Sequence, residues 1–148
     1  MSIVRPLIDS QVLRDFLTGG TLRQIRPGSP EASVRRSLGE PDEEGVGGRG
    51  VKILSYADRL LQISVMRGQV TLIGLYFHRP GTAPLTLSGS EIPFGRTMTA
   101  AAFEGALEKA GIAYELDGPM STPGQVSYYR VGPCLAVVDD GLYSIQAS

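Results

Sequence analysis

The chain has 148 residues, of which 42% are hydrophobic and 20% are charged, and its formal net charge is −1. These values are typical of a folded globular domain, and no segment approaches the roughly 20 consecutive apolar residues of a membrane-spanning helix. Cys134 is the single cysteine, which excludes an intramolecular disulfide and a multi-cysteine metal site.

Residues 1–20 predict a short amphipathic helix. Asp9 or Ser10 can cap its start, and the glycine pair at 19–20 can end it. Its apolar face consists of Val12, Leu13, Phe16 and Leu17. The start of the chain lacks the apolar stretch and cleavage site of a signal peptide, and it has no cysteine to carry a lipid, so we expect a cytoplasmic location.

Residues 21–79 predict a first unit in which a helix precedes a meander of strands. Ser29 is a favourable N-cap after the turn at Pro27 and Gly28, and Gly39 is a left-handed terminator. The acidic, glycine-rich segment 42–50 has no apolar period and is interpreted as a loop. Three runs rich in branched and aromatic residues then predict antiparallel strands at 51–56, 60–66 and 70–77.

The middle strand of this unit alternates between apolar and polar residues, with Ile63 and Val65 on its apolar side. Such alternation is typical of a sheet with one buried face and one exposed face. We therefore expect the helices to pack on the side of the sheet that carries Ile63 and Val65.

Residues 80–90 are interpreted as a connector, and residues 91–148 as a second unit. Thr97 or Thr99 can cap an alanine-rich helix that ends at Gly111. Four strand-like runs follow this helix, at 112–116, 126–131, 134–138 and 142–145.

The two units begin with similar patterns, because Ile25-x-x-Gly28 precedes the first helix and Ile92-x-x-Gly95 precedes the second. The repetition predicts an α+β fold of two tandem repeats, each a short helix packed on a three- to four-stranded antiparallel meander. The alternative is one continuous curved sheet with the helices at one end.

Few groups in the sequence support catalysis. His78 is the only histidine, and no neighbouring nucleophile or orienting carboxylate accompanies it. The carboxylates of Asp139 and Asp140 belong to a predicted turn, and the glycines of segment 45–50 lack the lysine of a phosphate-binding loop. We expect no catalytic residue, no cofactor and no metal, which argues against an enzyme. No recognition-helix or base-stacking motif accompanies the arginines, so nucleic acid is not an expected partner.

Tyrosine and arginine supply the candidate partner-binding residues, because both are enriched in the energetically dominant parts of protein interfaces. The candidates are Tyr56, Tyr76, Tyr128, Tyr129, Arg35 and Arg36. Since side chains alternate along a strand, Tyr128 and Tyr129 are expected on opposite faces, which leaves one of them exposed.

A family resemblance rests on turn, cap and core positions of the first unit: Ile25, Gly28, Val34, Leu38, Gly39, Pro41 and Tyr56. Their spacing resembles the outer-membrane assembly lipoproteins of the SmpA/OmlA type, and the tandem arrangement resembles β-lactamase inhibitory proteins. The resemblance implies two helix-plus-sheet units whose concave sheet surface grips an enzyme. The chain differs from both groups, since it has no lipid-attachment cysteine, no export signal and no cysteine pairs.

Three functions remain as hypotheses. The first is a cytoplasmic protein-binding module, such as an immunity protein or inhibitor, whose partner is a toxin or an enzyme. The second is a small-molecule-binding or catalytic domain with a pocket near His78. The third is a structural accessory protein whose edge strands pair with a second copy, forming a homo-oligomer. No membrane partner is expected.

Overall fold

The computed structural model describes residues 7–90 and 92–148; residues 1–6, which include the start used for the leader prediction, and Glu91 lie outside the described residues. The described part contains three α-helices: α1 (Ser10–Gly19), α2 (Glu31–Leu38) and α3 (Ala100–Ala110). Its strands are β1 (Glu43–Val46), β2 (Lys52–Tyr56), β3 (Leu61–Met66), β4 (Gln69–Tyr76), β5 (Glu115–Leu116), β6 (Val126–Val131), β7 (Cys134–Asp139) and β8 (Leu142–Ala147). A 3₁₀ turn, Gly48–Gly50, separates β1 from β2.

The strands form one eight-stranded antiparallel sheet in the order β1-β2-β3-β4-β8-β7-β6-β5. The two meanders meet where β4 pairs with β8, so β1 and β5 form the edges. The predicted α+β class is therefore confirmed. Of the two predicted arrangements, the continuous sheet is the one observed, with the helices over one face of the sheet and not at one end.

Hydrogen bonds show which face the helices cover. The hydroxyl of Tyr56 in β2 donates to the carbonyl of Gly39, at the end of α2, at 2.9 Å. The hydroxyl of Tyr129 in β6 donates to the carboxylate of Glu104 in α3 at 2.5 Å. The strand registers put Tyr56 and Tyr129 on the same face of the sheet. Helices α2 and α3 therefore lie on one side.

Helix α1 lies on that side as well. The thiol of Cys134 in β7 donates to the carbonyl of Phe16 at 3.1 Å, and burial raises the pKa of this thiol to about 12. Cys134 is thus buried between the sheet and α1. Ile63 and Val65 are also buried on this face, as predicted, and each buried aliphatic side chain stabilises the fold by about 1.5–3 kcal/mol.

Two predicted helix caps are confirmed. The carboxylate of Asp9 accepts a bond from the amide of Val12 at 2.8 Å, and the hydroxyl of Thr99 accepts from the amide of Ala102 at 3.1 Å. Each bond satisfies an amide that has no partner within the first turn of a helix.

Two local predictions in the first unit are wrong. Ser29 does not cap α2, because Pro30 occupies the N-cap position and the Ser29 hydroxyl accepts a bond from the amide of Arg26 at 3.1 Å. Segment 42–50 is not a loop throughout, because it contains β1. All four residues of β1 are exposed, and an edge strand exposed on both faces needs no apolar alternation that a sequence could reveal.

The two isoleucine–glycine patterns that suggested a repeat do not occupy equivalent positions. Ile25 is 1% exposed, whereas Ile92 is 39% exposed. Gly28 has a φ of +98°, whereas Gly95 does not adopt a positive φ. The patterns therefore do not define a structural repeat.

Gly141, in the turn between β7 and β8, provides a test of the packing. Its φ is +112°, and a Cβ atom there would lie 1.8 Å from the carbonyl oxygen of Arg96. We predict that Gly141→Ala lowers the free energy of unfolding by about 2 kcal/mol or more, because the segment before α3 has to move. Urea denaturation measures this loss. Gly118→Ala is the matched control, since no atom lies within 4 Å of its Cβ position; equal losses in the two variants would contradict the packing.

Candidate functional site

The candidate site is the face of the sheet opposite the helices, which we call the open face. Its side chains alternate along each strand with those of the covered face, and most of the larger ones are half-buried, whereas Ser55 and Ser144 are buried. The larger ones are Ile53, Gln62, Ser64, Met66, Leu72, Tyr76, Tyr128, Leu135, Val137 and Gln146. A wide surface with apolar side chains on one side of a sheet is a common mark of an interaction site.

One row of residues crosses the open face from edge to edge. The residues that lie opposite one another in successive registers are Glu43, Ser55, Gln62, Gly74, Gln146, Leu135, Arg130 and Glu115. The charged members of this row stand at its two ends. Two of them are paired there, with Arg59 on Glu43 at 2.9 Å and Arg130 on Asp117 at 3.3 Å. The centre of the open face is therefore uncharged.

The Tyr76 side chain lies at this centre, with its ring flat against the sheet. A Cβ atom on Gly74 would lie 2.5 Å from the Tyr76 ring, so the ring lies directly over the glycine backbone. Burial raises the pKa of the Tyr76 hydroxyl, and nearby Tyr143 raises it further. The Tyr143 ring stacks on His78 with centroids 4.2 Å apart, and the His78 ring meets Tyr76 edge-on at 6.3 Å. The three rings form one aromatic cluster at the end of β4.

Apolar side chains also lie on the half of the open face formed by β4, β8, β7 and β6, with the buried Ser144 between Tyr76 and Val137. Tyr76 is opposite Ser144, Ser144 is opposite Val137, and Val137 is opposite Tyr128. Opposite residues on adjacent strands place their Cβ atoms about 4.5–5.5 Å apart, so these side chains adjoin. We call Tyr76, Tyr128, Leu135 and Val137 the apolar patch.

The structure divides the four predicted tyrosines between the two faces. Tyr76 and Tyr128 lie on the open face, whereas Tyr56 and Tyr129 are buried under the helices. The expected opposition of Tyr128 and Tyr129 is confirmed. The hydroxyls of Tyr56 and Tyr129 fasten the helices to the sheet, so a protein bound to the open face does not contact them.

Arg35 is the centre of an ion-pair network that holds α2 against β1 and β2. Its guanidinium lies 3.1 Å from Glu31, 2.5 Å from Glu40 and 3.0 Å from Glu44. Lys52 joins the network through Glu31 at 3.2 Å and Glu44 at 3.4 Å. The carboxylates of Glu44 and Glu31 raise the pKa of Arg35, and Arg35 lowers the pKa of Glu44. Arg35 therefore stabilises the packing of α2 against β1 and β2.

Arg36 is exposed on α2, beside a crevice that Gln24, Ser33 and Ser37 help to line. Because α2 covers the opposite face of the sheet, neither predicted arginine lies on the open face.

The sequence pattern does not single out two members of the apolar patch, Leu135 and Val137. Run 134–138 is apolar throughout, so it predicts a strand without distinguishing its two faces. Its members at 134, 136 and 138 are buried on the covered face, while Leu135 and Val137 are half exposed. Period-two alternation within this run was the signal that could have identified them.

His78 is exposed and stacked on Tyr143. The residues that follow it, 79–82, line a crevice of about 250 Å³ together with Glu43, Asp58 and Arg59, but His78 itself is not part of that lining. Within ranges 7–90 and 92–148, no group of three or more His, Cys, Asp and Glu side chains is placed to hold a metal ion. None of the helices in these ranges is long and apolar enough to cross a membrane.

No protein-family model matches the sequence, and no curated protein matches it. Solved structures that are similar to the chain at low identity include the following two. An extracellular protein containing a SCP domain, from Bacillus anthracis, is 12% identical with a TM-score of 0.42, over 99% of this chain and 47% of that one. A cysteine-rich secretory protein from Staphylococcus aureus is 13% identical with a TM-score of 0.41, over 81% of this chain and 42% of that one. This chain spans less than half the length of both proteins.

The resemblance to SmpA/OmlA lipoproteins and β-lactamase inhibitory proteins is wrong, because the similar solved structures are an SCP-domain protein and a cysteine-rich secretory protein. The residues that suggested it are turn, cap and core positions, which unrelated folds share. The extracellular and secretory descriptions belong to those two proteins, and they give no support to the predicted cytoplasmic location.

Tyr128 and Tyr129 allow a matched test of the two faces. Burial and the bond to Glu104 raise the pKa of Tyr129 to about 12, above the ordinary value of about 10. The burial and the bonding of this hydroxyl therefore contribute stability that is fully present below pH 10 and is lost as the pH rises through about 12. We predict that Tyr129→Phe lowers the free energy of unfolding at pH 7 by about 2 kcal/mol, because the Glu104 carboxylate loses its short hydrogen bond and keeps only the 3.4 Å bond from the Tyr114 hydroxyl.

Tyr128→Phe is the control for this prediction and should change the free energy of unfolding by less than about 0.5 kcal/mol. Chemical denaturation at pH 7 and at pH 11.5 measures both variants. The difference between wild type and Tyr129→Phe should shrink at the higher pH. A difference that does not depend on pH would contradict a hydroxyl that is buried and bonded to Glu104.

Proposed function

We propose that this chain is a non-catalytic protein-binding module that uses its open face. The observation that most supports this proposal is the one-sided sheet: all three described helices bond to one face, and the other keeps an apolar patch half exposed. Burying such a patch against a partner is favourable, at roughly 25 cal/mol for each Å² of apolar surface removed from water.

The order of residues across the open face supports a protein as the partner. Interfaces between proteins have an apolar core rich in aromatic residues and a polar rim. Here the uncharged centre carries Tyr76 over Gly74, and the ion pairs of Glu43 and Arg130 stand towards the edges. A ring held flat by the backbone beneath it loses little conformational freedom on binding, which favours affinity.

The specific form that we propose is an immunity protein or inhibitor in the cytoplasm, with a toxin or an enzyme as its partner. An uncharged aromatic surface without a catalytic group suits a protein that acts by covering another protein. The product of an adjacent toxin-like reading frame is the first partner to test. Co-expression measures whether this chain neutralises its activity.

We also infer that the chain arose by tandem duplication, on the basis of strand registers. In each half a helix precedes four strands, and the last two strands share one irregularity. The β3–β4 register shifts after Ser64 and leaves Thr71 without an opposite residue. The β7–β8 register shifts after Val137 and leaves Tyr143 without one.

A constant separation of 72 residues relates the two unpaired positions, 71 and 143, and also the glycines that end α2 and α3, Gly39 and Gly111. It relates Gly74 to Gln146 as well, and these two residues pair with each other where the meanders meet. A pairing between equivalent residues is expected where a two-fold axis passes through a sheet, so the registers support two related halves.

The equivalent positions then differ in chemistry. Gln62 pairs with Gly74 and Leu135 pairs with Gln146, so Gln62 and Leu135 are equivalents, one polar and one apolar. The same reasoning relates polar Ser64 to apolar Val137. At both positions the second half carries the apolar residue, and these residues, Leu135 and Val137, belong to the apolar patch.

Alanine variants of the apolar patch test this function. The purified chain is immobilised, proteins that bind it from the source cell are identified, and their affinities are measured with each variant. We predict that Tyr76→Ala and Leu135→Ala each weaken binding by about 30-fold, the loss typical of an interface hot spot. Gln11→Ala on α1 is the control, because Gln11 is exposed on the helix side and bonds only within its own helix.

Unchanged affinity in both patch variants, or a loss as large in Gln11→Ala, would contradict the proposal. Circular dichroism and urea denaturation of each variant separate lost binding from lost folding.

A further inference from the structure

We infer that the edge strand β1 pairs with β1 of a second copy of this chain, across a two-fold axis at Gly45. This inference goes beyond the proposed function, which uses the open face and not the edge of the sheet. The pairing joins the two sheets into one, with the helices of both copies on the same side.

The outer edge of β1 is available for pairing. In the described part of the chain β1 pairs with β2 alone, through a register that runs from Glu43 to Val46. The amide of Gly47 donates to the carbonyl of Val51 at 2.6 Å, so the odd-numbered residues direct their backbone groups towards β2. By the alternation of antiparallel strands, Glu44 and Val46 direct their amides and carbonyls outward.

Val46 adds an apolar side chain to this edge, since it is 81% exposed, the highest value among the exposed large hydrophobic residues. The opposite edge differs, because β5 has only two residues and leads into a turn at Pro119. Short edge strands and prolines are devices that block edge pairing, so β1 is the better edge for a second strand.

The register follows from which residues share a face. A two-fold axis perpendicular to the sheet pairs residues of the same face, so Glu44 can be opposite Glu44 or Val46 of the second copy. A register centred on Glu44 places like charges opposite each other, which is unfavourable. A register centred on Val46 extends the pairing into the 3₁₀ turn Gly48–Gly50, which is not extended.

The register centred on Gly45 avoids both problems. It places Glu44 opposite Val46 of the second copy, twice, and their outward amides and carbonyls form four backbone hydrogen bonds. Gly45 then faces Gly45 of the second copy in a non-hydrogen-bonded pair. No carboxylate is opposite another carboxylate.

Charge complementarity favours the same register. Glu43 and Glu44 are already compensated within their own copy, by Arg59 and by Arg35 and Lys52 respectively. Beyond the strand ends, the turn that carries Arg49 lies against the segment 40–42 of the second copy.

Arg49 is exposed and forms no ion pair with any residue in ranges 7–90 and 92–148. In segment 40–42, the carboxylate of Asp42 accepts one long bond, at 3.4 Å, from the amide of Asp58. In the proposed dimer, Arg49 of each copy lies near Asp42 of the other copy. This adds one electrostatic attraction at each end of the paired strands.

Val46→Pro tests the pairing in the full-length chain. The amide of Val46 points outward, so proline removes donors from the proposed interface and leaves the bonds to β2 in place. We expect sedimentation equilibrium to show a concentration-dependent dimer for wild type. We expect a rise of about tenfold or more in the dissociation constant for Val46→Pro, because two of the four hydrogen bonds are lost. Val46→Thr, which keeps the amide and the branched shape, should dimerise like wild type.

Gly45→Cys tests the register. A non-hydrogen-bonded antiparallel pair brings Cα atoms to about 4.5 Å, within the range of a disulfide. No atom lies within 4 Å of the Cβ positions of Gly45 or Gly48, so both accept cysteine. Under mild oxidation Gly45→Cys should form a covalent dimer, and the control Gly48→Cys should not. Cys134 does not interfere, because it is buried.

A wild-type chain that stays monomeric at every concentration would overturn the inference, even if the edge binds a strand of another protein. Equal dimerisation of Val46→Pro and wild type, or equal cross-linking of both cysteine variants, would overturn it as well. None of these results bears on the apolar patch, so the proposed function is tested separately.

Discussion

Only one face of the sheet is buried under the helices, and this explains most other features of the structure. Helices α1, α2 and α3 fasten to a single face of the sheet through Cys134, Tyr56 and Tyr129. Eight strands joined in one sheet present two wide surfaces, and three short helices cover one of them. The other surface is in contact with water and also carries apolar side chains. Its ion pairs lie towards the edges, where they are solvated, and its uncharged centre carries the apolar side chains that a partner can bury.

Different interactions fasten the helices of the two halves. In the first half an ion-pair network around Arg35 joins α2 to β1 and β2, and surface ion pairs of this kind weaken in salt. In the second half the hydroxyl of Tyr129 donates to Glu104 under cover of α3. The open faces of the two halves differ as well, since the polar Gln62 and Ser64 of the first half correspond to the apolar Leu135 and Val137 of the second.

The sequence predicts those features that local chemistry determines. Asp9 and Thr99 cap helices because a short polar side chain suits that position, and the alternation around Ile63 predicts a one-sided sheet. The sequence does not predict the edge strand β1, because all four of its residues are exposed and show no apolar alternation. Its strand conformation depends on pairing with β2. The site was predicted only in part. Residue type does not distinguish the four predicted tyrosines, at positions 56, 76, 128 and 129. The strand register determines which rings lie on the open face and which bond to a helix.

Tyrosine nitration of the free chain and of its complex, followed by mass spectrometry, measures directly which face of the sheet a partner covers. We expect Tyr128 and Tyr76 to react in the free chain, while Tyr56 and Tyr129 stay protected under the helices. In the complex, Tyr76 and Tyr128 become protected too. Protection confined to the helix side, with Tyr76 and Tyr128 as reactive as before, would contradict the open face as the binding surface.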